Sequence, residues 1–568
     1  MVEKRPDQGG NVKQKHQERK ISEEKSVSRR TFLTRVGTLT AAGVVADTVG
    51  LGSMTGETNV AEAAAIGPDT PKKRREQAFK IRRDAAKFQR DFPLPDHPDN
   101  GDEAFFANKI GSYSKALPHN DLGHVDLPAY SALISALTSG DPNAFEAIPQ
   151  GGSVKQADPQ AAFAFSLEGP DSHHLTMIPP PTFSSQEEAG EMAELYWQAL
   201  TRDVPFVEYD TDLSTRGAAV DLSKFSIFRG PKLGGVVTTG TLFRGNTPGD
   251  LTGPYISQFL WKDIPYGTQT IVQRYCVPVE GNDFMTSYAE WLSIQKGFPP
   301  TASITFDSTP RYVSTGRDLA EYLHRDCTYQ AFLNTALILL GFGGAALDDA
   351  NPYKTAAKQG GFITFGGPHI LDLVTRVANE ALKAAWYQKW LVHRRLRPEA
   401  FGGHVHNHKV GAANYPIHPE ILNSPVLNAV FSKYGTYLLP TAYPEGCPTH
   451  PAYPAGHATI AGACSTVLKA FFKEALAVPN PVVANADGTA LDGYSGPVLT
   501  IGGELNKLAT NSSLGRDTAG VHWRSDGIEG LKLGEAVAIG ILTDFRATYN
   551  EFFGGFSLTK FDGTTITV

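Results

Sequence analysis

The chain has 568 residues, of which 41% are hydrophobic and 20% charged, a composition typical of a globular protein with one large or two ordinary domains. Its net charge of −7 argues against a nucleic-acid partner and a polybasic membrane-binding surface. The 4 cysteines are too scattered for a disulfide scaffold or a CxxC metal site. Cys447 and Cys464 are one candidate disulfide pair, and two buried thiols are the alternative.

The N-terminus has the pattern of a targeting segment. Ser28-Arg29-Arg30-Thr31-Phe32-Leu33 is followed by a weakly apolar stretch, 36–51, and by small residues at 61–65. This order is similar to a twin-arginine export signal. The apolar stretch is too short for a spanning helix, and Asp47 interrupts it. We expect residues 1–65 to be a signal and disordered arm, and the mature protein to be soluble and either periplasmic or extracellular.

The first half of the mature chain is predicted to be helical but rich in loops. Helices are expected at 72–92, near 130–137 and at 186–202, with a short one at 283–295. Ser184 and Ser185 with Glu187 and Glu188 are typical of a capping box at the start of the 186–202 helix. That helix is predicted to be amphipathic, with one apolar face formed by Met192, Leu195, Tyr196 and Ala199. We assign residues 66–315 to an N-terminal helical and loop-rich region.

The second half, 316–568, is predicted to be a helical bundle. Long helices are expected at 317–340, 368–395 and 457–476, and Ser525 or Asp526 is expected to cap a last one that ends near residue 552. Asp562-Gly563 predicts a small hairpin in the tail. The predicted fold class is all-α: a large helical domain built on four-helix bundles, with long loops and a minor β-hairpin. Active sites of bundles lie between facing helices.

The loop from Cys447 into the 457–476 helix has the properties of an anion site. Three prolines keep it out of helical geometry, and Gly456 allows a close approach of the backbone where the helix begins. The free N–H groups and the dipole of a helix N-terminus favour an anion. His457 lies at this N-terminus and His450 lies seven residues earlier. We predict an oxyanion pocket with a proton donor beside it.

Two basic segments are candidates for completing the pocket. Lys389 and Arg397 lie eight residues apart near the end of the 368–395 helix, and Arg516 and His522 precede the last helix. An ammonium group polarises an oxyanion and a guanidinium binds it through two nitrogens. Each segment alone has a structural alternative: a solvated basic helix end in the first case and a structural histidine in the second.

Taken together, the three segments carry a family resemblance. The order Lys-x7-Arg-Pro, Pro-x-Gly-His, Arg-x5-His resembles the signature of vanadium-dependent haloperoxidases and of their relatives, the type 2 phosphatidic acid phosphatases. The stretches 115–123, 193–206 and 386–399 are similar to the red-algal and cyanobacterial branch of bromoperoxidases. The resemblance covers residues 75–555 as one continuous unit.

The resemblance implies vanadate as the cofactor, with His522 as its only covalent protein ligand. The groups implied to hold the vanadate oxygens are Lys389, Arg397, Arg516 and the Gly456 amide. His457 is the implied acid and base, and Lys389 polarises the bound peroxide. His450 and Trp386 occupy the positions that tune halide choice, and His450 is also expected to be catalytic. Asp326 is expected to orient an arginine.

The expected reaction is oxidation of bromide or iodide by hydrogen peroxide to hypohalous acid, which then halogenates small organic substrates. The alternative is an acid phosphatase that uses the same pocket, with a phosphorylated His522 as intermediate and His457 as the acid. A non-catalytic binding protein is the third hypothesis. It has one feature in its favour, Ala455, which stands where the family usually has a serine. The family also implies a homo-oligomer and structural calcium.

Two further histidine motifs are interpreted as structural. The two-residue spacing of His404, His406 and His408 suits a strand or loop, and no carboxylate or cysteine set joins them. We therefore favour a solvated loop or pocket rim over zinc. His173-His174 is expected at the surface.

Overall fold

A computed structural model describes residue 67 and residues 70–568, so the predicted export signal lies outside the described part of the chain. That part is mostly helical, as predicted. It contains sixteen α-helices: α1 (Pro71–Asp91), α2 (Asp102–Phe105), α3 (Leu127–Ser139), α4 (Pro142–Glu146), α5 (Gln186–Thr201), α6 (Leu213–Leu222), α7 (Tyr288–Gln295), α8 (Gly316–Arg325), α9 (Gln330–Gly341), α10 (Gly367–Tyr387), α11 (Pro398–Lys409), α12 (Pro419–Leu422), α13 (Pro425–Tyr434), α14 (Gly456–Phe471), α15 (Ile501–Thr518) and α16 (Arg524–Arg546).

Shorter elements connect these helices. Single 3₁₀ turns are found at Pro159–Phe163, Ser172–His174, Phe206–Glu208, Gln258–Leu260 and Gly344–Ala346. Six strands form three separate antiparallel hairpins: β1 (Ile264–Tyr266) with β2 (Gln269–Ile271), β3 (Val482–Ala484) with β4 (Leu491–Gly493), and β5 (Ser557–Thr559) with β6 (Thr565–Thr567). The tail hairpin is where Asp562-Gly563 predicts it, and the other two were not predicted. No helix among the described residues is long and apolar enough to cross a membrane.

The core is a four-helix bundle of α10, α14, α15 and α16, in which α14 packs against the other three. Glycines bring α14 and α16 close together. A Cβ on Gly462 would lie 2.1 Å from the Leu531 carbonyl oxygen, and one on Gly534 would lie 1.9 Å from the Thr459 carbonyl oxygen. The small residues of α14 therefore serve helix packing along its length, because neither backbone could approach this closely past a larger side chain.

Helix α5 has no solvated face, contrary to the amphipathic prediction. Its apolar residues are buried, and so are Glu188, Glu191 and Glu194 on its other faces. Ser185 caps the helix by accepting from the Glu188 N–H at 3.1 Å, but the Glu188 carboxylate turns away to Arg395. The predicted capping box is therefore only half formed. Buried carboxylates need cationic partners, and those partners lie far away along the chain.

The predicted single helix 317–340 is wrong, because the chain forms two helices, α8 and α9, with a turn between them. Asp326 ends α8 with extended backbone, φ −67° and ψ 153°. The Cys327 N–H then donates to the Gln330 Oε1 at 3.3 Å, which satisfies one backbone donor that a continuous helix would have used. Because α8 ends at this residue, the Asp326 carboxylate does not lie on the surface of a continuous helix.

Three helix ends also differ from the predictions. Helix α10 ends at Tyr387 and continues as one π-helical segment, Gln388–His393, until Arg394 takes left-handed geometry with φ 39°. Helix α14 ends at Phe471 rather than 476. Helix α16 begins after Trp523 and ends at Arg546, and the Asp526 carboxylate accepts from the Trp523 N–H at 3.1 Å. The π-helical segment contains Lys389.

The histidine and cysteine predictions need three corrections. His404, His406 and His408 lie in helix α11 rather than in a strand or loop, and His404 is buried. His174 is also buried, so the pair at 173–174 is not simply a surface feature. Cys447 and Cys464 are both free, buried thiols, so the disulfide alternative is wrong. Burial raises the pKa of both thiols.

Candidate functional site

Arg397 is the centre of a buried cluster that joins the predicted segments. Its Nε donates to the His450 carbonyl oxygen at 2.8 Å and its Nη2 contacts the His450 Nδ1 at 2.9 Å. Its Nη1 donates to the Val521 carbonyl oxygen at 2.7 Å and contacts the His522 Nε2 at 3.0 Å. One guanidinium therefore holds the loop before α14 and the segment before α16 together.

Lys389 and Arg516 complete a set of three buried cations. The Lys389 Nζ donates to the carbonyl oxygens of Pro451 and Ala452, at 2.7 and 2.9 Å. The Arg516 Nη1 donates to the Leu323 carbonyl oxygen at 2.9 Å and to the Tyr443 hydroxyl at 3.1 Å. The Arg516 Nε is buried and has no partner within the described chain. It is a free donor at the site.

None of these three cations forms an ion pair with a carboxylate of the described residues; all their partners are neutral. Burial lowers the pKa of Lys389 well below its ordinary value, and the nearby charges of Arg397 and Arg516 lower it further. Burying like charges together without a counter-ion is costly. The arrangement therefore favours a bound anion that would compensate them.

His522 has a neutral imidazole with one ring nitrogen directed into the cluster. Its Nδ1 lies 2.8 Å from the Asp526 Oδ2, so Nδ1–H donates to that carboxylate and Nε2 keeps its lone pair. Burial lowers the pKa of His522 well below its ordinary value, and the charges of Arg397 and Lys389 add to this effect. A neutral imidazole with a carboxylate behind it is the usual form of a metal-ligating histidine.

Asp526 was expected only as a helix cap, and its role behind His522 was missed. Its second oxygen, Oδ1, accepts from the Arg395 Nη1 at 2.7 Å. Arg395 also contacts Glu188 and Glu191 of α5, the latter at 3.1 Å. The available signal was a carboxylate four residues after His522, but nothing local in the sequence indicates the α5 carboxylates.

His457 lies at the start of α14 with 18% of its side chain exposed, so it is the site histidine that solvent reaches. Its Nε2 is 3.1 Å from the Asp326 Oδ1. Asp326 therefore contacts this histidine, and among the described contacts it forms no hydrogen bond with an arginine, so its expected role in orienting one stays a prediction. The turn that separates α8 from α9 is what brings its carboxylate here.

The N-terminus of α14 offers backbone donors without a side-chain cap. Ala455 is the N-cap residue and makes no side-chain hydrogen bond, while its N–H donates to the Asp526 carbonyl oxygen at 2.9 Å. A Cβ on Gly456 would lie 3.5 Å from the nearest Trp386 ring carbon, an ordinary contact. The packing of the protein itself therefore does not require glycine at this position.

His450 and Trp386 form one wall of the cluster. Their ring centroids are 4.8 Å apart, and the Lys389 Nζ lies 6.0 Å from the Trp386 ring. The Trp386 indole N–H donates to the Ala157 carbonyl oxygen at 3.2 Å, which fixes the ring. Burial lowers the pKa of His450 well below its ordinary value, and Lys389 and Arg397 lower it further, so this imidazole is also neutral.

Comparison with known proteins adds independent evidence. A family model described as the VCPO second helical-bundle domain matches residues 370–551. A vanadium-dependent bromoperoxidase from Corallina pilulifera is 37% identical, over 83% of this chain and 92% of the relative. One from Ascophyllum nodosum is also 37% identical, over 86% of this chain and 91% of the relative.

A solved structure agrees with these sequence matches. The homohexameric second vanadate-dependent bromoperoxidase (AnII) of Ascophyllum nodosum superposes with a TM-score of 0.83 and 30% identity. The match covers 94% of this chain and 95% of that one, so it includes both the loop-rich first half and the bundle. The chain belongs to the family of vanadium-dependent bromoperoxidases.

Proposed function

We propose that this chain is a vanadate-dependent haloperoxidase that oxidises bromide or iodide with hydrogen peroxide to hypohalous acid. The observation that carries the proposal is the group of three buried cations, Lys389, Arg397 and Arg516, gathered without a carboxylate partner among the described residues around a neutral His522. The relatives named above, which match between 83% and 94% of this chain, support the same reaction. Small organic substrates would be halogenated by the released hypohalous acid.

The residues present fit vanadate. A bare divalent cation would be repelled by three positive charges, whereas an oxyanion with a metal centre needs both an imidazole lone pair and several cationic donors. The His522 Nε2 would supply the bond to vanadium. Lys389, Arg397, Arg516 and the Gly456 amide would hold the oxygens, with the free Arg516 Nε as one donor. The dipole of α14 adds to the attraction.

Bound vanadate supplies Lewis-acid activation of hydrogen peroxide without changing its own oxidation state. The overall reaction consumes one peroxide, one bromide and one proton and releases one hypobromous acid and one water, so the site must move protons. His457 is suited to this because it is part-exposed and paired with Asp326 at 3.1 Å. It would accept the proton that peroxide loses on binding and return it to the leaving oxygen.

The other residues around the pocket set its electrostatics. The Lys389 ammonium, held by two carbonyl oxygens, would withdraw electron density from the peroxide oxygen that bromide attacks. His450 and Trp386 form the wall against which a halide would lie, and a neutral His450 does not add charge there. Ala455 lacks the hydroxyl of the usual family serine, so one neutral hydrogen bond worth about 1 kcal/mol is missing.

Parallel assays on one preparation test the reaction class. The protein is loaded with orthovanadate, and peroxide-dependent bromination and phosphate-ester hydrolysis are measured side by side. We expect bromination without hydrolysis. Hydrolysis in place of bromination would favour the phosphatase alternative, and vanadate binding with neither activity would favour the binding protein.

A pair of histidine variants tests the ligand assignment. His522→Ala is expected to lose both vanadate binding and bromination. His173→Ala is the matched control, because His173 is also paired with a carboxylate, Asp171, at 2.7 Å, and yet it has no place in the proposed site. Retained bromination in His522→Ala would mean that the ligand is assigned wrongly.

The proposal also includes a homo-oligomeric assembly, export from the cytoplasm and structural calcium. We expect a homo-oligomer, since the AnII relative is a homohexamer, and light scattering on the purified protein measures its size. Export by the twin-arginine route predicts a mature N-terminus near residue 65, which N-terminal sequencing of the exported protein reads directly. Within residues 70–568 no group of three or more His, Cys, Asp or Glu side chains is arranged to hold a metal ion, so structural calcium stays a prediction for metal analysis.

A further inference from the structure

The last turn of α8 supports Arg516 both directly and through Tyr443. The Leu323 carbonyl oxygen accepts from the Arg516 Nη1 at 2.9 Å. The Ala320 carbonyl oxygen accepts from the Tyr443 hydroxyl at 2.6 Å, and that hydroxyl accepts from the Arg516 Nη1 at 3.1 Å. The Arg516 guanidinium also lies 5.2 Å from the Tyr443 ring centroid. The position of Arg516 therefore depends on where this turn and Tyr443 lie.

His324 lies on the same turn and covers Tyr443. The two rings are stacked, with centroids 3.9 Å apart and planes inclined by 9°. The His324 Nδ1 is 3.1 Å from the Glu321 Oε2, and its Nε2 is 2.6 Å from the Glu445 Oε1. Ionised carboxylates only accept hydrogen bonds, so both ring nitrogens donate and His324 is an imidazolium cation.

The charged and titratable groups around His324 come from four segments. They are Glu321, Arg325 and Asp326 from α8 and its end, Tyr443 and Glu445 from the loop before α14, Arg516 from α15, and Lys115, whose Nζ donates to the Glu445 carbonyl oxygen. Burial lowers the pKa of His324, but the hydrogen bonds that His324 donates to Glu321 and Glu445 outweigh this effect and raise that pKa above its ordinary value. Burial also raises the pKa of Glu445, and the bond from His324 outweighs this and lowers it.

We propose that His324 is a positioning residue that fixes Arg516 through Tyr443 and thereby makes oxyanion binding depend on pH. The protonated His324 ring links α8 to Glu445 by a hydrogen bond, and by stacking on the Tyr443 ring it holds that ring in contact with Arg516. When the ring loses a proton, one carboxylate faces a nitrogen lone pair and that link is lost. The Tyr443 ring then no longer stacks on an imidazole that is held in place. Its hydroxyl is therefore no longer a fixed hydrogen-bond acceptor for Arg516. The proposal rests on the proposed function, since it takes the oxyanion at Arg516 to be vanadate.

The test is a comparison of orthovanadate binding by the unaltered protein and by His324→Gln, both freed of vanadate beforehand. Dissociation constants are measured by equilibrium dialysis between about pH 6 and about pH 10, and the ratio at each pH cancels the ionisation of vanadate itself. We expect His324→Gln to bind about five- to tenfold more weakly at the acid end, the low end of a typical coupling between sites. The ratio should fall towards one as pH rises through the pKa of His324.

Two more variants separate this role from simple packing. Glu445→Gln removes the charge of a residue whose side chain is 45% exposed, so the fold should tolerate it. It lowers the pKa of His324, so its vanadate binding should weaken at lower pH than in the unaltered protein. In a Tyr443→Phe background, His324→Gln should have little further effect, because the path to Arg516 has already been cut.

His173→Gln is the matched control, since it removes another carboxylate-paired histidine, and its ratio should stay at one at every pH. A His324→Gln ratio that stays at one, or that is raised equally at every pH, would overturn the proposal. So would a Glu445→Gln profile that matches the unaltered protein. If the unaltered protein binds no orthovanadate, the proposed function itself fails. If it binds orthovanadate and these variants have no effect on binding, only the role of His324 fails.

Discussion

Replacing Asp526 by asparagine tests whether this carboxylate selects the tautomer of His522. Asp526 is fully buried, and its two oxygens accept from different donors, the His522 Nδ1 at 2.8 Å and the Arg395 Nη1 at 2.7 Å. Asparagine has one acceptor oxygen and one donor group. If the oxygen faces Arg395, the amide donates to the His522 Nδ1 and the proton must move to Nε2. There it faces the Arg397 Nη1 donor, 3.0 Å away, and it occupies the lone pair that would bind vanadium.

The opposite orientation of the asparagine places its amide against the Arg395 donor, which also costs free energy. A hydrogen bond to a charged group contributes about 1.5–3 kcal/mol, and loss of the partner behind a metal-ligating histidine typically costs about 10–100-fold in affinity. We therefore expect Asp526→Asn to weaken orthovanadate binding by about 10–100-fold, with a parallel loss of bromination. Equilibrium dialysis measures the first and a bromination assay the second.

Glu191→Gln is the matched control for this prediction. Glu191 contacts the same Arg395 at 3.1 Å and the Ser525 N–H at 2.9 Å, but it does not touch His522. Both variants should lower the free energy of unfolding in urea, and only Asp526→Asn should lose vanadate affinity by more than about threefold. Equal loss of vanadate affinity in both would show that the carboxylates act through stability alone, and the tautomer argument would be wrong.

Three further predictions concern the bundle, the pocket and pH. Ala455→Ser is expected to strengthen orthovanadate binding by about fivefold, since one neutral hydrogen bond contributes about 1 kcal/mol; unchanged dialysis constants would mean that the hydroxyl caps α14 instead. Gly534→Ala should lower the free energy of unfolding by about 1–3 kcal/mol, the usual cost of overpacking, because its Cβ would lie 1.9 Å from a backbone oxygen of α14. Gly217→Ala in α6, where the nearest atom is at 3.7 Å, is its control and should not destabilise the protein. Asp102→Asn should stabilise the protein above about pH 6 by about 1 kcal/mol and have no effect below about pH 4, as measured by urea unfolding.

The sign of the Asp102 effect follows from its environment. Burial raises the pKa of Asp102 from 3.8 to about 6, so the folded state keeps a proton that the unfolded chain loses between these values. Stability is therefore lost as pH rises through this window and stays lower above it. Both backbone and side-chain donors, from Phe183 and Asn100, reach the same Oδ2, so the asparagine carbonyl can replace it. A stabilisation that is the same at pH 4 and pH 7 would contradict this account.

The hydrophobic pattern of the sequence was sufficient to predict the helical class, and the resemblance of the three motifs to one family was what predicted that their segments meet. The sequence was not sufficient for features that depend on distant partners. Helix α5 was predicted to be amphipathic because Glu188 and Glu191 look solvated, and their partner Arg395 lies about two hundred residues away. The break between α8 and α9 was missed because apolar residues continue across it with helical spacing.

Arg395 and Arg397 show how charge pairing assigns roles within one short basic segment. In the sequence they are two arginines two residues apart at the end of the same predicted helix, and only the family motif distinguishes Arg397. In the structure Arg395 meets Glu188, Glu191 and Asp526, so its charge is compensated and both of its terminal nitrogens are occupied. Arg397 meets only carbonyl and imidazole groups. The positions of the carboxylates on α5 and α16 therefore decide which arginine supports Asp526 behind His522 and which is left to bind an anion.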